Sequence, residues 1–404
     1  MATLVSSSSL TLLPFFFLLL LLLTFQVQST NLNYTTDRKF STLRLQRIQR
    51  HLDNINKTPL LTIQSPDGDL IDCVHKRKQP ALDHPLLKNH KIQRVPSEMP
   101  KGMKLKEKSE MGMGMQNWHQ NGTLCPKGTV PIRRSTVHDV LRAKSLFDFG
   151  KKRRRFSLAR SDAPDVVSGN GHEHAIAYTG SAEEVYGAKA TINVWEPSIQ
   201  EVNEFSLSQI WILSGSFDGS DLNSIEAGWQ SDSYQATGCY NLLCAGFVQA
   251  NRRIAIGAAI SPISSYDSNQ YDITILVWKD PKIGNWWMSF GDGTLVGYWP
   301  VELFTHLATH ATMVEWGGEV VNTRANGQHT STQMGSGHFA GDGFGKASYF
   351  RNLEIVDTDN SLSSVHNILT LAENTNCYDI KSSYSNEWGT YFYYGGPGNS
   401  HQCP

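Results

Sequence analysis

Trp286-Trp-Met-Ser-Phe290, then Gly291-Asp-Gly293, then Thr294-Leu-Val-Gly-Tyr-Trp299 is the stretch that decides the fold. Two runs of aromatic and β-branched residues flank a glycine-bearing turn, the pattern of a β-hairpin. The same texture extends outward. Phe205-Ser-Leu-Ser-Gln-Ile-Trp-Ile-Leu213 and Tyr271-Asp-Ile-Thr-Ile-Leu-Val-Trp278 have strand composition with partial period-two alternation, and residues 347–356 and 390–394 add further strands. One helix is predicted, over residues 300–310, with Pro300 at its first turn. Many short strands, frequent glycine and a single helix point to an all-β domain, an antiparallel β-sandwich.

Charge separates this domain from what precedes it. Residues 1–160 hold 27 Lys and Arg against 11 Asp and Glu, and residues 161–404 hold 9 against 26, so a +16 half precedes a −17 half. Such asymmetry marks two parts with different roles. Residues 10–23 are an almost unbroken apolar run, shorter than the ~20 residues a membrane span requires, and they read as the core of a secretory signal peptide. The predicted organisation is a signal peptide over 1–29, a basic prosegment over 30–160 and a β-sandwich over 161–404. The six cysteines fit disulfides in an oxidising compartment. Sequons at Asn33, Asn56 and Asn121 would carry glycans in a secreted chain. No other apolar segment reaches membrane length, so no membrane association is predicted after signal removal. Export also excludes nucleic acid as the partner of the basic half. The acidic half of the same chain is a simpler partner, through complementary fields.

The prosegment reads as a small α+β unit. Leu43, Leu45, Ile48 and Leu52 recur at roughly helical spacing, and Ile63-Gln-Ser-Pro-Asp-Gly-Asp-Leu-Ile-Asp-Cys73 reads as two strands about a Pro-Asp-Gly turn. Cys73 and Cys125 are alone in this half and pair by default. Lys151-Lys-Arg-Arg-Arg155 is either a processing site or a solvated charge run. Cys239, Cys244, Cys377 and Cys403 allow three pairings, of which proximity favours the two between sequence neighbours.

The chemistry narrows by elimination. There is no phosphate-binding Gly-Lys-Ser/Thr loop and no serine elbow. His306 and His310 are four apart, but Leu307 stands where a zinc peptidase needs Glu, so no metal and no cofactor are predicted. Carboxylates remain. Glu226 lies in Ile225-Glu-Ala-Gly-Trp229 and Glu319 in Glu315-Trp-Gly-Gly-Glu-Val-Val321. Two carboxylates in one cleft split their proton affinities, giving an acid and a base from identical groups. The plain alternative is that both are edge or ion-pair residues.

A resemblance sharpens this reading. Asp218 to Trp229, Thr237-Gly-Cys-Tyr-Asn-Leu-Leu-Cys-Ala-Gly-Phe-Val-Gln249, Gly284-Asn-Trp-Trp, Val296-Gly-Tyr-Trp-Pro300, Val314-Glu-Trp-Gly-Gly-Glu319 and Thr332-Gln-Met-Gly-Ser-Gly-His-Phe339 together resemble neprosin, a plant family of secreted glutamic peptidases that cleave near proline. Asp72-Cys73, Gln79-Pro-Ala, Asp83-His-Pro-Leu-Leu-Lys-Asn-His90 and Cys125-Pro-Lys-Gly are similar to that family's activation peptide. The resemblance implies a β-sandwich behind a removable prosegment that acts as an intramolecular inhibitor. It implies a catalytic pair at Glu226 and Glu319, with Gln209 beside them to orient water or an oxyanion. It implies Trp229, Trp287, Trp299 and Trp316 as cleft walls for a proline-containing peptide or protein substrate. The implied disulfides are Cys73–Cys125, Cys239–Cys244 and Cys377–Cys403, and the implied locale is the cell wall, apoplast or vacuole.

One stretch departs from the family. After Gln230 the chain runs directly into Ser231-Asp-Ser-Tyr-Gln-Ala-Thr, where members carry a further loop and most of an aromatic strand. A lost strand leaves its neighbour's backbone unpaired. The rival readings are a two-carboxylate glycosidase and a non-enzymatic secreted sandwich that binds wall material or carbohydrate.

Overall fold

Strands form nearly everywhere the sequence alternates. The computed structural model describes residues 42–103, 116–119, 122–142, 146, 149, 171–180, 184–201, 204–216, 221–232, 241–324 and 328–404. The strands are β1 Pro59–Gln64, β2 Leu70–His75, β3 Thr129–Arg133, β4 His172–Tyr178, β5 Gly187–Asn193, β6 Phe205–Ser214, β7 Asn223–Asp232, β8 Val248–Gln249 and β9 Asp272–Lys279. They continue as β10 Trp286–Phe290, β11 Thr294–Trp299, β12 Met313–Val321, β13 Ser348–Val356, β14 Leu362–Ser364, β15 Leu369–Ala372, β16 Asp379–Ser385 and β17 Gly389–Gly395. Residues from Ile55 to Pro404 form one unit, and residues up to Asn54, with most of a helix over 42–55, form another.

Two antiparallel sheets make the sandwich. The larger runs β16-β17-β13-β5-β9-β10-β11-β8, with β14 beside β13; the smaller runs β15-β4-β12-β6-β7. Between them Ile210, Ile212, Trp229 and Trp316 of the smaller sheet meet Ile275, Trp286, Phe350 and Phe392 of the larger. Each such buried side chain contributes about 1.5–3 kcal/mol relative to exposure. Tyr394, also in this layer, bonds its hydroxyl to Ser208 Oγ of the facing sheet and to Ser348 Oγ at 3.2 Å.

A third sheet, β1-β2-β3, belongs to the N-terminal half. Gly68, at φ +96°, closes the predicted Pro-Asp-Gly turn. This half packs on the outer face of the larger sheet. Val74, Val130 and Ile132 meet Phe247, Ile254 and Val296, while Ala81, Ile92 and Met99 cover Trp278, Trp287 and Tyr298. Gln79 joins both backbone groups of Gln249, at 2.7 and 3.2 Å, and His90 Nε2 meets the Tyr298 hydroxyl at 2.8 Å. Two arginines of this half instead bind its own carboxylates: Arg133 lies 2.6 Å from Asp69, and Arg134 lies 2.5 Å from Asp72. Apolar contact and hydrogen bonds, rather than net charge, make the described junction.

The predicted helix over 300–310 does not form. A 3-10 turn, Val301–Leu303, ends at Phe304 with φ −112°. Beyond it, Asn223 Oδ1 accepts from the backbone of Thr305 and His306 at 2.9 Å and of Leu307 at 3.3 Å. That side chain takes donors a helix would direct to its own carbonyls. His306 therefore reaches Asp221, 2.7 Å away, rather than His310.

Cys73–Cys125 and Cys377–Cys403 are bonded. Cys244 is disulfide-bonded as well, and Cys239 lies outside the described residues. So do residues 1–29, Asn33, Asn121 and the run 151–155. Asn56 exchanges hydrogen bonds with the backbone of Ser135, at 2.9 and 3.0 Å, which commits one amide hydrogen of that sequon.

Candidate active site

Pairing register assembles the site from three strands. Along β6, Leu207, Gln209 and Trp211 share one face. Trp211 stands opposite Glu226 of β7 and Glu315 of β12; Gln209 stands opposite Gly228 and Gly317; Leu207 stands opposite Gln230 and Glu319. On β4 the same rows end in Tyr178, Ile176 and His174. These rows cross the face of the smaller sheet that points away from the larger one.

The middle row is a trough, because two of its four positions are glycine. Neither tolerates a side chain. A Cβ at Gly228 would lie 2.0 Å from Ser208 O, and one at Gly317, where φ is +153°, would lie 2.3 Å from Ala175 O. Gln209 is the polar group in the floor. At the β7 end Gly228 is exposed and Glu226 half-buried. At the β12 end Glu315 and Glu319 are 2% and 1% exposed.

The two predicted carboxylates sit in unlike settings. Glu226 accepts from neutral donors, Gln209 Nε2 and Ser224 Oγ, each at 3.0 Å. Glu319 faces two imidazoles: His172 Nδ1 bonds its Oε1, and His174 Nε2 lies 3.7 Å from the same oxygen. Gln209 stands between the two acids. Two strand spacings and a four-residue offset put their backbones roughly 16 Å apart on a flat lattice. Glu315 is nearer to Glu226, about 10 Å on that lattice, across Trp211.

None of the four predicted cleft tryptophans lines this trough. Trp229 and Trp316 each lie three residues from a glutamate, an odd offset that sends them to the opposite face and into the inter-sheet core. Trp229 Nε1 donates there to Asn193 O at 2.8 Å. Trp287 is fully buried under the N-terminal half, and Trp299 packs on Phe247 with ring centroids 4.6 Å apart. The tryptophan on this face is instead Trp211, an even offset from Gln209 and 3% exposed. The same parity signals Glu315, His172 and His174, which motif reading missed.

Among the described residues one grouping has metal-ligand types, His329 with Cys377 and Cys403. Its sulfurs are joined to each other, and His329 is held by Glu173 at 2.8 Å and Thr330 O at 2.7 Å. No ligand set is left there.

The sandwich gathers carboxylates on one sheet, and the N-terminal half lies against the other. The model of the neprosin activation peptide matches residues 62–178 and that of neprosin matches residues 229–397; the chain belongs to the neprosin family. The second match takes in Glu315 and Glu319 and begins just after Glu226, while the first takes in His172 and His174. Among solved structures, the crystal structure of Scytalido-glutamic peptidase with a peptide-based transition state analog is similar over 57% of this chain and 98% of that one, at 11% identity and a TM-score of 0.26. Among the described residues β7 is the outermost strand of its sheet, and residues 233–240 after it lie outside them.

Proposed function

We propose that this chain is the secreted zymogen of a glutamic endopeptidase that hydrolyses peptide bonds beside proline at acid pH, with Glu226 and Glu319 as its catalytic pair. The observation that carries the reading is the shared face: Glu226, Gln209 and Glu319 all border one trough, and the two acids have contrasting partners. Imidazoles beside Glu319 favour its anion, so it takes a proton from the attacking water. Glu226, which accepts from Gln209 and Ser224, is the acid that delivers a proton to the leaving amine. Gln209 supplies an amide donor for the developing oxyanion. The glycine floor admits a substrate backbone closely, and Trp211 offers a flat apolar wall to a proline ring.

In this reading the prosegment is the intramolecular inhibitor. Its folded part anchors on the larger sheet, and a cut near residues 151–160 makes its release permanent. The chain works beyond the cytosol, in the wall space or a vacuole. No helix among the described residues is long and apolar enough to cross a membrane.

The test is a digest of a peptide library at acid pH by the processed protein, with polysaccharides in parallel. Cuts clustered at proline support the reading. Sugar turnover would make the pair a glycosidase's. Peptide or glycan binding without turnover would mean that the edge position of β7 has cost the chain its activity.

A further inference from the structure

Glu319, His174 and Glu373 stand in line at the β12 end of the trough. His174 Nε2 lies 3.7 Å from Glu319 Oε1, and its Nδ1 lies 3.0 Å from Glu373 Oε2. The backbone N–H of His174 donates to that same Glu373 oxygen at 2.7 Å. Glu373 directly follows β15, the strand that pairs with β4, so the sheet itself brings the three together.

Chemistry then fixes the state of the ring. A neutral imidazole has one N–H and one lone pair, and between two carboxylates it would aim that lone pair at an anion. With both carboxylates ionised, the imidazolium is the form that satisfies both sides. The His174 and Glu319 side chains are 3% and 2% exposed, so a charge on either needs partners at that depth: Glu319 and Glu373 for the ring, His174 and His172 for the carboxylate. Trp211 sets its ring edge-on to His174 at 6.4 Å and limits lateral movement.

We infer that His174 is a positioning residue that ties Glu319 to Glu373 and keeps Glu319 the unprotonated member of the carboxylate pair. This rests on the reading of Glu319 as the base. The other titratable groups that face this cluster from the described strands are His172 and Tyr178 on β4, Glu315 on β12 and Glu226 on β7; β6 presents Gln209 and Trp211, which do not titrate. His172 touches the same Glu319 oxygen, so losing His174 still leaves that oxygen a partner.

Two measurements test the tie. The first follows the histidine ring signals of the full-length protein, labelled with 15N-histidine, through a pH titration. His174 is expected to titrate lower by on the order of one unit in Glu373→Gln, and lower again in Glu319→Gln. An unchanged His174 titration in Glu373→Gln overturns the proposal. The second follows kcat/KM of the processed protein against pH. His174→Gln should move the acid limb toward neutral pH by about one unit, with KM little changed. A limb that stays put while activity and stability fall uniformly means a merely structural histidine and also overturns it. Glu373→Gln is the milder change should His174→Gln fail to fold. If the unaltered protein cleaves no peptide, the assignment of Glu319 as base fails, and the ring titration still decides the tie.

Discussion

Replacing Asp280 by Asn asks what holds the N-terminal half in place. Asp280 follows β9 and has no exposed surface. Its carboxylate accepts from Gln93 Nε2 and Ser97 N at 2.7 Å, from Ser97 Oγ, and from the backbone of Lys282 and Ile283 at 3.0 and 3.3 Å. Three of these donors belong to the N-terminal half. Burial by itself would raise the pKa, yet the bonds from Ser97, Gln93 and Lys282 hold it below the ordinary 3.8. Asn keeps the shape but turns an NH2 group toward donors. Losing two bonds to a charged acceptor, at about 1.5–3 kcal/mol each, should cost roughly 3–6 kcal/mol at pH 7. The folded pKa lies below the unfolded one, so this stabilisation is full above 3.8 and is lost as pH falls through the folded value. Urea unfolding of the full chain at pH 7 and in stronger acid measures it, with tryptic cleavage within residues 79–103 as a local probe. The gap between the two proteins should close in acid. Equal stability at pH 7, or a gap indifferent to acid, refutes the reasoning.

Other changes separate scaffold from chemistry. Gly317→Ala would set a Cβ 2.3 Å from Ala175 O and 2.8 Å from Ile176 Cα, so β4 must part from β12; a thermal melt should show a loss of about 3 kcal/mol or more. Tyr394→Phe leaves Ser208 and Ser348 without their buried hydroxyl partner, and should lower stability by about 1–3 kcal/mol with peptide cleavage unaltered, since the ring lies between the sheets. For His329, burial works against the charged ring, but bonds to Glu173 and Thr330 O prevail and raise its pKa above 6.5. Its contribution is therefore full below 6.5 and lost as pH rises through the folded value, so the stability deficit of His329→Gln should be large at pH 5 and shrink by pH 9.

Much of the scaffold is legible in the sequence, because alternation is a local property. The predicted strands at 205–213, 271–278, 286–290, 294–299, 347–356 and 390–394 all form, within a residue or so at their ends. The helix over 300–310 is not legible, because Asn223, some 80 residues away, claims its backbone donors. The site is half legible. Resemblance finds Glu226, Gln209 and Glu319, which do share a face. Richness in tryptophan misleads about the walls, although parity alone separates Trp229 from Glu226 and Trp316 from Glu319. The His172–His174–Glu373 cluster is invisible beforehand, since it needs β4 beside both β12 and β15. The seat of the N-terminal half is hidden for the same reason: charge totals say nothing about which sheet its apolar face covers.

The central claim is that Glu226 and Glu319 act together across one trough. The direct measurement is kcat/KM of the processed protein on proline-containing peptides, for Glu226→Gln, Glu319→Gln and, as comparator, Glu315→Gln. The first two should each fall about 1,000-fold with the fold intact, and the comparator should fall far less. Near-full activity in either of the first two, or a Glu315→Gln protein that is dead while Glu319→Gln is active, would contradict the account and move the chemistry to the row that holds Trp211.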